Sequence, residues 1–261
     1  MRGERLLRVL AEGRTALGAS LHLQDPAVVE IAALAGFDWV TIAIEHAPLS
    51  VHQLVPLQLA ADARDITMLV LVEQPDDPRL LPLVNAGLGG VVLAHASGAA
   101  PLEELVHTVR FPPLGERGAH GAVRSADYGA TPYAEYVVDA DASLVVGLVI
   151  EDRAGLDAAE EIFSVPGVDF AYIGIQDLAQ SLGVPGEMEH PIVRDALANV
   201  LRVGREKGVR LAVSQYGYTV EELRDLGISM ISTTLDYSSL LSAFRADVER
   251  TRAELARLGA R

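Results

Sequence analysis

Residues 143–183 read SLVVGLVIEDRAGLDAAEEIFSVPGVDFAYIGIQDLAQSLG, and the way this stretch alternates decides the fold. Two apolar, β-branched runs, 144–150 and 170–173, each end abruptly at a polar group. The first stops at Glu151; the second passes through Gly174 to Asp177. Between them residues 154–163 have helical spacing and Pro166-Gly167 supplies a turn, so the unit reads strand, helix, strand. Near-continuous apolar strands belong to a parallel sheet covered on both faces. In such sheets chemistry collects at the carboxyl ends of the strands. The unit therefore presents Glu151 and Asp177 side by side at one mouth. Two carboxylates in one site repel unless a cation stands between them, and oxygen-only ligands suit Mg²⁺, Mn²⁺ or Ca²⁺. The plainer use of the same residues is helix initiation, with Glu151 opening one helix and Asp177 capping a short one. Spacing alone leaves both uses open.

Outward from this unit the alternation repeats. Strands are expected at 16–23, 38–44, 67–72 and 90–95, each followed by a helix: to 35, from 51 to 61, to 85, and from 101 to 110. The rhythm then lapses in 111–141, a segment rich in Gly, Pro and aromatics, which we expect to be an ordered loop with a short helix. After the central unit come a helix at 192–207, strands at 209–214 and 229–233 around a helix at 220–226, and a final helix at 236–258. Eight strand–helix alternations with no linker describe one (β/α)₈ TIM barrel over 1–261, interrupted by the irregular insert between the fourth helix and fifth strand. The rival open doubly wound sheet lacks its glycine-rich phosphate fingerprint after the first strand. The barrel gathers Glu45, His46, Glu73, His95, Glu151, Asp177, Ser214 and Thr234 around one rim. His95 ends an apolar strand there and is a candidate for substrate binding, whereas His22 reads as surface or structural, and Trp39 and Tyr172 as core packing.

Composition narrows the classes. The chain of 261 residues has no cysteine, which removes disulfides, thiolate metal sites and a cysteine nucleophile together. A formal net charge of −15 argues against nucleic acid and anionic membrane as partners. The first fourteen residues form a charged amphipathic segment, not a signal peptide. The apolar runs fall far short of the roughly 20 residues of a membrane span. A soluble, cytoplasmic protein is the expectation.

Four pieces of the chain carry a resemblance: GFDWVTIAIEHAPLS (36–50), FPPLGERGAHGAVRSADYG (111–129), VIE (149–151) and PGVDFAYIGIQDLAQSLG (166–183). Together, and in this order, they resemble the HpcH/HpaI group of metal-dependent (class II) pyruvate aldolases. The resemblance implies a divalent metal held by Glu151 and Asp177, with Mg²⁺ or Mn²⁺ foremost and Co²⁺ or Ca²⁺ admissible. It implies a 2-oxo acid substrate and His46, beside Glu45, as the acid/base residue of carbon–carbon cleavage. It further implies that backbone N–H groups around Gly174, Gln176 and Asp177 receive a substrate carboxylate. Finally, it implies a homo-oligomer, hexamer or trimer, with the last helix at a subunit contact. The chemistry agrees: a cation stabilises an enolate, a histidine shuttles protons near neutrality, and a helix start favours a carboxylate.

The departures from the family pattern are specific. Ala43 stands for an aspartate, Val149 for a glutamine, Asn85 for the histidine's aspartate partner, and Ile175-Gln176 for a Pro-Ala pair. Alignment on Asp77-Pro78 puts Val72 where the family has an arginine that grips pyruvate, and Arg124 or Arg79 is the expected replacement. The resulting expectation is an aldolase-type lyase acting through the enolate of a 2-oxo acid, with an altered substrate shell. Two alternatives are a condensing (citrate-synthase-like) or decarboxylating enzyme, and a catalytically silent binding barrel.

Overall fold

The computed structural model describes residues 3–44 and 49–259. The first half runs α1 (Glu4–Ala11), β1 (Ala16–Leu21), α2 (Pro26–Ala35), β2 (Trp39–Ala43), α3 (Val51–Ala63), β3 (Thr67–Val72), α4 (Leu80–Asn85), β4 (Gly90–Leu93) and α5 (Ala99–Val109). A 3₁₀ segment (Arg124–Gly129) and α6 (Tyr133–Ser143) then lead into β5 (Val145–Ile150). The second half continues with α7 (Arg153–Asp157), α8 (Ala159–Ile162), β6 (Phe170–Ile173), α9 (Ile175–Ser181), α10 (Pro191–Lys207), β7 (Arg210–Ser214), α11 (Val220–Asp225), β8 (Met230–Leu235) and α12 (Asp236–Arg257). All neighbouring strands pair in parallel, and β8 closes on β1, with Ala16 opposite Met230, to make the expected (β/α)₈ barrel. The insert is ordered as expected, around the 3₁₀ segment and α6. The single helix expected at 154–163 is broken at Ala158, whose ψ of 6° leaves the helical region.

Two apolar layers hold the barrel. The outer one lies between strands and helices and takes Val70, Val72, Val146, Leu148, Ile173 and their helix partners. The inner one fills the amino end of the barrel with Trp39, Leu69, Val92, Val145, Phe170 and Met230. Amphipathic α1 plugs that end: Leu6, Val9 and Leu10 are buried against the inner layer, and the Leu6 amide donates to Thr67 Oγ1 at 3.1 Å. Space for Trp39 comes from Gly18, where a Cβ would stand 2.1 Å from the indole ring. With the amino end packed solid, the carboxyl end is left open.

Candidate active site

At the carboxyl end the barrel holds a cavity of about 480 Å³, lined by Glu151, Asp177, Gly174 and Gln176 together with groups from most of the strands. Strands β5 and β6 are in register with Ile150 opposite Ile173, so Glu151 and Gly174 leave the sheet abreast. A Cβ on Gly174 would come within 2.7 Å of Glu151 Cβ and 2.8 Å of its Oε2, so the bare backbone is what lets the carboxylate lie here. The side chain of Glu151 is only 11% exposed. Its Oε1 accepts from the His95 amide at 2.9 Å and faces His95 Nδ1 at 2.9 Å. Asp177 is the third residue of α9, where a carboxylate suits the helix start. It makes no hydrogen bond or ion pair with another described residue, so its oxygens are free for a ligand.

Other expected site residues lie elsewhere. His95 is off the cavity wall: its backbone is left-handed, with φ 50°, which ends β4 two residues early and turns the ring onto Glu151. It holds the acid. Arg124 is at the opposite end of the barrel, donating to Ala86 O at 2.7 Å and pairing with Asp62 at 2.5 Å beside the carboxyl ends of α4 and α3. The 3₁₀ segment that carries Arg124 packs on α4, and Arg124 is not among the described residues that line the cavity. Arg79 pairs with Asp77 at 2.6 Å and donates to Leu49 O at 3.1 Å; the hydrogen bonds from its guanidinium hold the Asp77 carboxyl below the usual range. Asn85 accepts from Arg117 at 2.8 Å, and Arg117 also reaches Tyr136 Oη and stacks 4.5 Å from the Phe111 ring. That cluster anchors the insert. Glu45 and His46 lie outside the described residues.

Ser214 and Thr234 line the cavity as the sequence placed them, and the structure adds further groups beside them. Leu71, not Val72, faces the cavity from β3, and Val72 is buried in the outer layer. Ala43, Leu71 and Val149 thus make one apolar wall, with Ala43 and Val149 at positions where the family pattern has polar groups. Opposite them stand the hydroxyls Ser20, Ser214, Ser232 and Thr234, with His22. Tyr172 reaches the cavity as well. Its hydroxyl bonds Ser214, and burial, partly opposed by hydrogen bonds from Ser214 and Ser232, pushes its pKa up to about 12. The signal for this wall was present in the chain, as serine and threonine interrupting otherwise apolar strands at 214 and 232–234.

Comparison with known proteins shows the family. The family profile of HpcH/HpaI aldolase/citrate lyase matches residues 18–243. The chain belongs to the HpcH/HpaI family. It is 36% identical over 202 residues to the 4-hydroxy-2-oxovalerate aldolase of Rhodococcus jostii, covering 77% of each chain. It is 31% identical over 250 residues to the hydroxypyruvate/pyruvate aldolase of Roseovarius nubinhibens, covering 94% of this chain and 95% of that one. The crystal structure of an HpcH/HpaI aldolase from Desulfitobacterium hafniense superposes with a TM-score of 0.88 at 26% identity, over 95% of this chain and 96% of that one. As an HpcH/HpaI protein, the chain is a carbon–carbon lyase of aldolase type. No helix among its described residues is long and apolar enough to cross a membrane.

Proposed function

We propose that this lyase works through the enolate of a 2-oxo acid, with Glu151 and Asp177 holding a divalent cation. The observation that carries the reading is that two carboxylates share one cavity whose described lining contains no lysine or arginine. The donor set fits a hard cation. Among the described residues no group of three or more His, Cys, Asp or Glu side chains is placed for a metal, and Mg²⁺ characteristically takes one or two carboxylates and keeps several waters. When bound, such a cation supplies Lewis-acid stabilisation of charge on the keto oxygen of the 2-oxo acid. The chain's own groups do the rest. His95 fixes the orientation of Glu151, Gly174 admits it, and the first amides of α9 at Gln176 and Asp177 face the substrate carboxylate. His46 moves the proton. The substrates of the two sequence relatives, hydroxylated or plain 2-oxo acids, support the same class. A homo-oligomer joined through α12 completes the reading.

The test is calorimetric titration with Mg²⁺ and Mn²⁺, paired with solvent-deuterium exchange into pyruvate. Glu151→Ala and Asp177→Ala each lose most of the cation affinity while the thermal unfolding transition persists. Exchange in the parent is metal-dependent and disappears in His46→Ala. Unchanged affinity in both carboxylate variants removes the metal assignment. Absence of exchange with every 2-oxo acid and cation leaves the non-catalytic barrel as the answer.

A further inference from the structure

His22 follows β1, and Glu151 follows β5, four strands away around a closed ring of eight, so the two face each other across the mouth. Asp236 Oδ2 accepts the amides of His22 and Leu23, both at 2.8 Å, and the Tyr237 ring packs against the imidazole at 5.7 Å. The ring is therefore fixed from outside the cavity that it lines. Its Nδ1 is buried and has no partner among the described residues, whereas Nε2 is not among the buried unpartnered atoms and bonds no described residue. Nε2 is the nitrogen a ligand reaches.

We infer that His22, with the hydroxyls of β7, β8 and β1, forms the subsite for the acceptor half of the substrate, and that this half is a neutral, hydroxylated aldehyde. The inference rests on the enolate reading above and adds the other reactant to it. With the 2-oxo acid at the β5–β6 acids, the free volume toward β8 and β1 is where the second carbon chain lies. A hydroxyl both donates and accepts, so it meets Nε2 in either tautomer, and the hydroxyls of Ser20, Ser214 and Thr234, bonded to Thr41, Tyr172 and Ser239, keep a lone pair for it. A second carboxylate does not fit. Glu151 and Asp177 together only balance the divalent cation, the bound 2-oxo acid leaves the cavity one charge negative, and no described lysine or arginine lines the wall to neutralise another.

The experiment compares aldol addition of pyruvate, deprotonated at its methyl carbon, to glyceraldehyde, propionaldehyde and glyoxylate by the Mg²⁺-loaded protein and its His22→Ala and His22→Gln variants. The parent prefers glyceraldehyde and uses glyoxylate worst. In His22→Ala the KM for glyceraldehyde rises about tenfold, the size of one lost hydrogen bond, while propionaldehyde stays within about twofold of the parent. In His22→Gln, whose amide nitrogen replaces Nε2, the glyceraldehyde KM returns toward the parent value. An equal loss with both neutral aldehydes, or no loss with either, overturns the role of His22; a parent that prefers glyoxylate overturns the charge argument. A parent inactive with every aldehyde and without metal-dependent deuterium exchange into pyruvate refutes the enolate reading by itself. His22 is then judged by its ring ¹⁵N–¹H signals: movement on titration with glyceraldehyde keeps the subsite, and fixed signals end it.

Discussion

Leu71 and Val72 are neighbours in the chain and lie on opposite sides of β3, one in the cavity and one in the outer apolar layer. An arginine restores the family's positive charge only at the first. Leu71→Arg is expected to speed metal-dependent deuterium exchange into pyruvate, with a ceiling near the 10²–10³ that one such donor is typically worth. Val72→Arg buries an unpaired charge between strand and helices, and chemical denaturation should show a loss on the order of 3 kcal/mol or more. Tyr172 titrates on a different scale. Its folded pKa is raised from 10.0 to about 12, so the unfolded chain releases this proton first. The stability it contributes is complete below pH 10 and is lost as pH climbs toward 12. Phenolate absorbance should show one tyrosine ionising last, absent in Tyr172→Phe, and that variant should lose less stability over the same pH window.

At the scale of elements, the start of α12 locks the exit of β1. Asp236 is 8% exposed, and its oxygens accept the amides of His22, Leu23 and Tyr237. Asp236→Ala strands three donors in a partly buried corner, a cost on the order of 2–4 kcal/mol. Urea denaturation should show that loss, and Asp236→Asn, which keeps an acceptor, should recover part of it. The same contact sets the His22 ring, so the acceptor wall depends on where α12 begins. The acid pair depends likewise on one local feature, the step from β6 through Gly174 into α9. Glycine there is a packing requirement, since its φ of −79° is open to any residue and it is the Glu151 side chain, from Cβ to carboxylate, that excludes a Cβ.

Over the whole molecule, α12 leaves the barrel with one face uncovered. Tyr237, Leu240, Leu241, Phe244, Val248 and Leu255 are all exposed, between 42% and 60% of each surface. Such a stripe marks an interaction site, and a second copy of the chain is the expected cover. Light scattering at micromolar concentration should report a homo-oligomer, and Phe244→Glu, which puts a charge in the middle of the stripe, should shift it toward the monomer. A monomeric parent contradicts the assembly.

The sequence by itself determined the strand–helix alternation and the placing of Glu151 and Asp177 after adjacent strands, because hydrophobic runs, turn residues and parallel connections are local properties of the chain. It also carried the family signatures at 36–50, 111–129 and 166–183. What it could not determine was the phase of each strand. Strands buried on both faces read as unbroken apolar runs, so nothing in LVLV at 69–72 tells the inward residue from the outward one. That choice is made by the tilt and closure of the barrel, which sends Leu71 to the cavity and Val72 outward. The destinations of Arg124 and His22 are tertiary for the same kind of reason. Arg124 follows the path of a long insert toward Asp62, and His22 reaches the cavity because β8 closes beside β1 and Asp236 then grips its amide, a contact that spans 214 positions of sequence.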